Sequence, residues 1–130
     1  MNTKLLRDVA RHISEEPRRL DMERITKRGK EIKGEAPPCG TAACIAGWAL
    51  LLTHDKEITG YENGFPVVNG RCLDVVDAAS LIGDEDHRLF FLSSWPKKFR
   101  EPYAAAETPQ QRAEIAVARI EHFIKTKGEE

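Results

Sequence analysis

The chain has 130 residues, of which 41% are hydrophobic, and its 20 basic and 21 acidic residues leave a net charge of −1. This length predicts one domain, residues 1–130, whose core is large enough to fold without disulfides. A near-neutral charge argues against extended nucleic-acid binding, which needs a basic excess. The three cysteines favour a reducing compartment, and the first residues alternate charged and apolar side chains instead of forming a signal peptide. We therefore expect a soluble, cytoplasmic protein.

Three segments have the apolar spacing of amphipathic helices. Residues 3–16 form the first, and residues 73–81 form the second, with Gly83 as its C-terminal stop. The third covers residues 108–127, where Thr108 begins a capping box followed by proline. These three helices are the firmest expectations from the pattern.

Residues 42–52 contain no strongly polar side chain. A helix that is apolar all round is buried, and eleven residues are too few to cross a bilayer, which needs about 20. The pattern predicts a buried central helix over residues 41–53, with Thr41 or Gly40 as its N-cap. The predicted fold class is mostly α, a small helical bundle around this helix.

The remaining segments carry weaker signals. Residues 17–38 are highly charged and predict an irregular stretch, and residues 54–71 are rich in turn residues, with a short β-hairpin within 58–70. Residues 84–92 predict a short helix capped by Asp84. Residues 95–103 predict a loop pinned to the core by its aromatic side chains, in preference to an exposed stacking surface.

The start of the central helix is the most unusual local feature, with Cys39, Gly40, Thr41 and Cys44 close together. Free N–H groups at a helix start stabilise a bound anion or a thiolate. The alternatives are that both cysteines only pack in the core, that an anion binds there, or that Cys39 carries thiol chemistry. For a ligand, basic side chains within residues 18–33 or Trp95, Lys98 and Arg100 would supply the walls.

Other chemistry has little support in the sequence. The spacing of Cys39, Cys44, His54 and Cys72 matches no zinc motif, and the calcium-like segment at residues 55–66 ends in Pro66 where a glutamate is required. No phosphate-binding loop, nucleophile elbow or dinucleotide motif is present. We expect no metal, no cofactor and no enzymatic activity.

The run C-G-T-A-A-C-I-A-G-W-A at residues 39–49, followed by Leu89-Phe90 and Trp95-Pro96 and by a closing helix with Arg-Ala-Glu, resembles a family of small uncharacterised proteins. Bacterial and bacteriophage genomes encode this family, and its pattern is C-G-T-x-x-C-x-A-G-W-A. By analogy with other phage proteins, the resemblance implies a protein that blocks a host factor or sequesters a host signalling molecule.

The sequence thus predicts a non-enzymatic binding protein whose site lies at the N-terminus of the 41–53 helix. The partner is a small anionic, nucleotide-like ligand or a host protein. Residues 1–34 carry four more bases than acids while residues 35–95 carry six more acids than bases, which keeps anion binding open. Two alternatives stand beside it: a thiol-dependent enzyme or redox sensor that uses Cys39, and a homodimeric structural protein.

Overall fold

A computed structural model describes residues 1–22, 26–27, 42–62 and 64–130. Within them the helices are α1 (Thr3–Glu15), α2 (Ile45–His54), α3 (Val75–Ile82), α4 (Lys97–Ala105) and α5 (Pro109–Lys125), with short 3-10 turns η1 (Pro17–Arg19) and η2 (Leu92–Ser94). The strands are β1 (Thr26–Lys27), β2 (Ala42–Ala43), β3 (Ile58–Glu62), β4 (Phe65–Val68) and β5 (Arg71–Cys72).

The expected fold class, a mostly α helical bundle with a short hairpin, is wrong, because the chain combines its helices with two antiparallel sheets. Strands β3, β4 and β5 form a three-stranded sheet in that order, and β1 pairs with β2 in a second, two-stranded one. The predicted hairpin within 58–70 is the first half of the larger sheet, in which Ile58 pairs with Val68 and Val68 pairs in turn with Arg71. The fold is therefore mixed α and β, with helix predominating.

The three amphipathic helices are confirmed, together with their capping chemistry. In α1 the Asn2 side chain accepts from the Leu5 amide at 3.0 Å, and in α5 the Thr108 capping box is complete. Helix α3 begins at the N-cap Asp74 and ends at Gly83, whose φ of 85° is the left-handed conformation that suits glycine. A side chain at Gly83 would also meet the Met1 backbone at 3.1 Å.

The central helix is buried as expected, and its start is displaced. Every residue of α2 from Ile45 to Leu51 is buried. The helix begins at Ile45, because Ala42–Ala43 pairs as strand β2 and Cys44 is the N-cap. The prediction of Thr41 or Gly40 as N-cap is therefore wrong. Apolar residues with no period can serve a buried strand as well as a buried helix, so the pattern did not distinguish the two.

Two further local predictions are wrong. Residues 84–91 form turns instead of a helix, since the Asp84 carboxylate accepts from the amides of Arg88 and Leu89, both at 2.9 Å, and His87 has a φ of 55°. Residues 97–105 form helix α4 instead of a loop. Phe99 and Tyr103, four residues apart, fit a single face of that helix, and Trp95 lies just before its start.

The helices pack around α2. Helix α1 contacts α2 and α5, α3 contacts α2, and α4 contacts α5. Turn η1 contacts α1, α5 and strand β2. This packing brings η1 and the start of α5, which are far apart in the sequence, to the same side of the molecule.

Candidate functional site

A cleft of about 410 Å³ opens where η1, strand β2 and the α4–α5 corner meet. We call it the η1–α5 cleft, and among the described residues it is lined by Arg18, Leu20, Asp21, Met22, Ala42, Leu92, Tyr103 and Arg112. Its volume is in the range of small-molecule sites, which run from about 300 to 1,000 Å³.

The polar lining of the cleft comes from both sides. Arg18 is exposed on η1 and Arg112 is half-buried on α5. Arg112 donates to the Ala106 carbonyl at 3.2 Å, which leaves further N–H groups of its guanidinium for a ligand. Asp21 adds a carboxylate and Tyr103 a phenol, so the described lining has an excess of one positive charge. Two guanidinium groups in one cleft suit a carboxylate or phosphate, to which they donate charge-assisted hydrogen bonds.

The rest of the lining is apolar. Leu20, Met22, Ala42 and Leu92 form this part of the surface. Met22 is buried, at 9% exposure, and Leu20 and Leu92 pack against the core as partly buried residues. The cleft thus presents an apolar surface beside its charged groups, which is the usual composition of a site for an anion with an organic body.

Turn η1 is held in place by contacts with three elements. The Trp48 indole Nε1 of α2 donates to the Arg19 carbonyl at 2.7 Å, and the Arg19 guanidinium donates to the His12 carbonyl of α1 at 2.9 Å. Just after the turn, the Asp21 amide donates to the Ala43 carbonyl of β2 at 3.0 Å. The wall of the cleft that carries Arg18 is therefore tied to the buried core.

His12 completes this support. Its Nδ1 lies 3.2 Å from the Arg19 Nη1, and its ring meets the Trp48 ring edge-on with 4.3 Å between centroids. Because a guanidinium only donates, Nδ1 must accept, and the imidazole is neutral with its proton on Nε2. Burial lowers the pKa of His12, and the positive charge of Arg19 lowers it further. Nε2 is buried and has no hydrogen-bond partner among the described residues.

Cys44 closes the start of α2. Its side chain is buried, at 3% exposure, and its sulfur accepts from the Gly47 amide at 3.4 Å. Burial raises the pKa of the thiol more than the backbone hydrogen bonds lower it. The thiol is thus kept protonated and occupies the place at the helix start where an anion would sit. The space that is open to a ligand is the η1–α5 cleft, which lies beside strand β2.

The structure describes only some of the residues that the sequence grouped into a site. Cys39, Gly40 and Thr41 lie outside the described residues, although Ala42, which follows Thr41, lines the cleft. Trp95 is in the core at 2% exposure, where its indole N–H donates to the Leu89 carbonyl at 2.8 Å and its ring packs edge-on against Tyr103.

The two predicted basic residues lie on α4. Lys98 is exposed with its Nζ 5.5 Å from the Phe99 ring centroid. Arg100 is also exposed and donates to the Ser93 carbonyl at 3.4 Å. Neither belongs to the described lining of the η1–α5 cleft.

Of the cleft's arginines, Arg18 falls in the basic segment expected to supply a wall, whereas Arg112 was missed. Arg112 stands in the first turn of an amphipathic helix, and nothing in that local pattern distinguishes it from a solvated surface arginine. The signal that identifies it is spatial, since η1 packs against α5.

The described residues form neither a metal-binding cluster nor a membrane-spanning helix. Within the described part of the chain, no group of three or more His, Cys, Asp or Glu side chains is arranged to hold a metal ion. The described helices also include none that is long and apolar enough to cross a membrane.

Comparison with known proteins gives no relative for this chain. No family model matches it, and no match is found among curated proteins or among solved structures. The residues that line the η1–α5 cleft are therefore the evidence for what this chain binds.

Proposed function

We propose that this chain is a cytoplasmic, non-enzymatic binding protein of bacterial or phage origin that takes up a small, nucleotide-like anion in the η1–α5 cleft. The observation that carries the proposal is that Arg18 of η1 and Arg112 of α5, far apart in the sequence, line the same cleft. Guanidinium groups recognise carboxylates and phosphates through fixed, forked donor geometry, which makes arginine pairs effective anion sites.

The apolar lining and Asp21 narrow the class of ligand that the cleft favours. A bare anion has no use for Leu20, Met22 and Leu92, whereas a ligand with an organic body buries apolar surface against them. A carboxylate in the same cleft accepts from ligand N–H groups and repels a second negative charge. The cleft therefore favours a ligand with one anionic end and a nitrogen-bearing body, such as a nucleoside monophosphate.

Thermal unfolding in the presence of candidate anions tests the proposal. Orthophosphate, sulfate, and adenosine and guanosine monophosphates are each added at increasing concentration. A ligand at about 100 times its Kd adds roughly 2.7 kcal/mol to the free energy of unfolding, which raises the Tm of a domain this size by several degrees. If no anion at tens of millimolar raises the Tm, the proposal is wrong.

Charge-removing variants then locate the site. Arg112→Gln and Arg18→Gln are each expected to weaken binding about tenfold or more, because a hydrogen bond from a charged group contributes roughly 1.5–3 kcal/mol. Arg7→Gln is the matched control, since Arg7 is an exposed arginine on α1 outside the described lining of the cleft. Equal loss of binding in all three variants would indicate nonspecific attraction instead of a site.

The thiol-dependent and homodimeric alternatives remain predictions. The first depends on Cys39, which lies outside the described residues. Nothing in the described cleft favours either of them over anion binding.

A further inference from the structure

The supporting wall of the cleft contains a titratable group that the proposed function does not use. His12 is not among the described residues that line the cleft, and it contacts both Arg19 of η1 and Trp48 of α2. Arg19 is preceded by Arg18 and followed by Leu20, Asp21 and Met22, all four of which line the cleft. Any change at Arg19 is therefore passed directly to the ligand-binding wall.

We infer that His12 is a pH-sensitive latch that holds η1 in its binding-competent position while its imidazole is neutral and releases it on protonation. This inference rests on the proposed function, because it concerns the regulation of the same cleft.

The latch depends first on the direct contact between His12 and Arg19. Nδ1 accepts from the guanidinium across 3.2 Å, so it has no lone pair to spare for a second proton. Protonation places an N–H on Nδ1 that points at a donor, and it sets two positive charges face to face at that distance. The hydrogen bond to Nδ1 cannot survive this change, so the Arg19 guanidinium is repelled from the ring and keeps only its bond to the His12 carbonyl at 2.9 Å on that residue.

The second step is the coupling of Arg19 to Trp48. The Arg19 carbonyl is the acceptor for the buried indole N–H at 2.7 Å. Trp48 is 1% exposed, so a shift of the Arg19 backbone leaves a buried donor without a partner, which is costly. The same ring packs on the imidazole at 4.3 Å between centroids. The three groups therefore rearrange together or stay together, and this joint behaviour makes the contact a latch.

The charges around the imidazole set the direction of the effect. The charged groups near it are Arg19 from η1 and Asp8, Arg11 and Glu15 from α1, while α2 faces it with the uncharged Trp48 and Leu52. Burial and the two arginines oppose protonation, and Glu15 favours it less strongly. The latch is thus closed at neutral pH and opens as the medium becomes acidic.

Nuclear magnetic resonance of the two indole N–H groups tests the latch directly. Trp48 donates to Arg19 and Trp95 donates to Leu89, so Trp95 serves as an internal control in the same spectrum. Between about pH 8 and pH 5, the range in which histidine titrates, the Trp48 signal is expected to shift with the His12 ring while the Trp95 signal stays in place. A Trp48 signal that ignores the His12 titration would overturn the latch.

His12→Gln is the matched variant, because its amide oxygen accepts from Arg19 and cannot be protonated in this range. Sulfate is the probe, since it stays a dianion between these pH values. Wild type is expected to bind sulfate about tenfold more weakly at pH 5 than at pH 8, against less than about twofold for the variant.

The outcomes separate the two proposals. Absence of binding by sulfate, phosphate and both nucleoside monophosphates at pH 8 refutes the proposed function and the coupling with it. Sulfate binding in wild type that changes with pH no more than in His12→Gln refutes the coupling alone. Should the variant fail to fold, shown by loss of the Trp95 signal, the wild-type comparison of the His12 and Trp48 titrations still decides, since unequal midpoints rule out the latch.

Discussion

The buried guanidinium of Arg119 gives the sharpest prediction about what holds this fold together. Arg119 is fully buried on α5, and its Nη2 donates to the Arg88 carbonyl at 3.2 Å. Nε and Nη1 have no hydrogen-bond partner among the described residues. The guanidinium carbon lies 5.7 Å from the Phe99 ring centroid and 5.9 Å from that of Phe123. The cation is thus held mainly by aromatic faces and one long hydrogen bond.

The size of the change in the free energy of unfolding follows from the cost of burying the Arg119 charge. Burial lowers the pKa of Arg119 from its usual value to about 10, although the carboxylates of Asp84 and Glu130 raise it. This lowering corresponds to about 3 kcal/mol against the charged form. Arg119→Met removes that cost while losing the hydrogen bond, at the low end of 1.5–3 kcal/mol for its length, and two cation–π contacts of about 0.5–1 kcal/mol each. We expect Arg119→Met to change the free energy of unfolding by no more than about 1 kcal/mol.

Arg119→Ala is the matched comparison, because it removes the same charge and also leaves a cavity. Large-to-Ala substitutions in a core cost about 2–5 kcal/mol. Urea denaturation of wild type and both variants, monitored by far-ultraviolet circular dichroism, gives the free energies of unfolding. If methionine costs as much as alanine, the reasoning is refuted, and the charge itself stabilises the fold through its carboxylate neighbours.

Three other predictions concern the support of the cleft. Trp48→Phe is expected to lower the free energy of unfolding by about 1–2 kcal/mol, because it removes the donor to the part-buried Arg19 carbonyl. Chemical denaturation checks this, and a loss under about 0.5 kcal/mol would contradict the importance of that bond. Because burial lowers the pKa of His12 in the folded state, the unfolded chain takes up that proton first, so stability falls as the pH drops below about 6.5, with a slope of at most about 1.4 kcal/mol per pH unit. Denaturation of wild type and His12→Gln across this range measures the effect, and identical pH profiles would exclude it. Cys44 is 3% exposed with its pKa raised by burial, so iodoacetamide is expected to label the half-buried Cys72 first and Cys44 after unfolding; peptide mapping that finds Cys44 labelled first in folded protein would refute its burial.

Local sequence patterns correctly predicted the helices that have capping residues at their ends. The apolar period of α1, the Asp74 cap of α3 and the Thr108 capping box of α5 all involve residues within four positions of one another. Periodicity and capping act over that distance, so the sequence expresses them directly. The same holds for Gly83, whose left-handed conformation follows from its place after α3.

Local patterns failed where a distant partner decides the conformation. Ala42–Ala43 continues an apolar run that reads as helix, and it is a strand because it pairs with Thr26–Lys27. Propensity is weak enough for a tertiary contact of this kind to override it. Asp84 is a different case, because its carboxylate accepts from the nearby amides of Arg88 and Leu89 and closes a turn, a local alternative to the helix cap that the pattern did not distinguish.

By itself, the sequence determined that residues 3–16, 73–81 and 108–127 form amphipathic helices around a buried apolar segment, because helix periods and caps are local properties. It also directed attention to the chain before α2 as the place for a site. Only the tertiary structure brought Arg112 and Arg18 into the lining of one cleft, and placed Trp95 in the core instead of on the surface. The physical reason is that close packing of the apolar faces decides which elements lie against each other. The positions of the charged residues beside those faces follow from that packing.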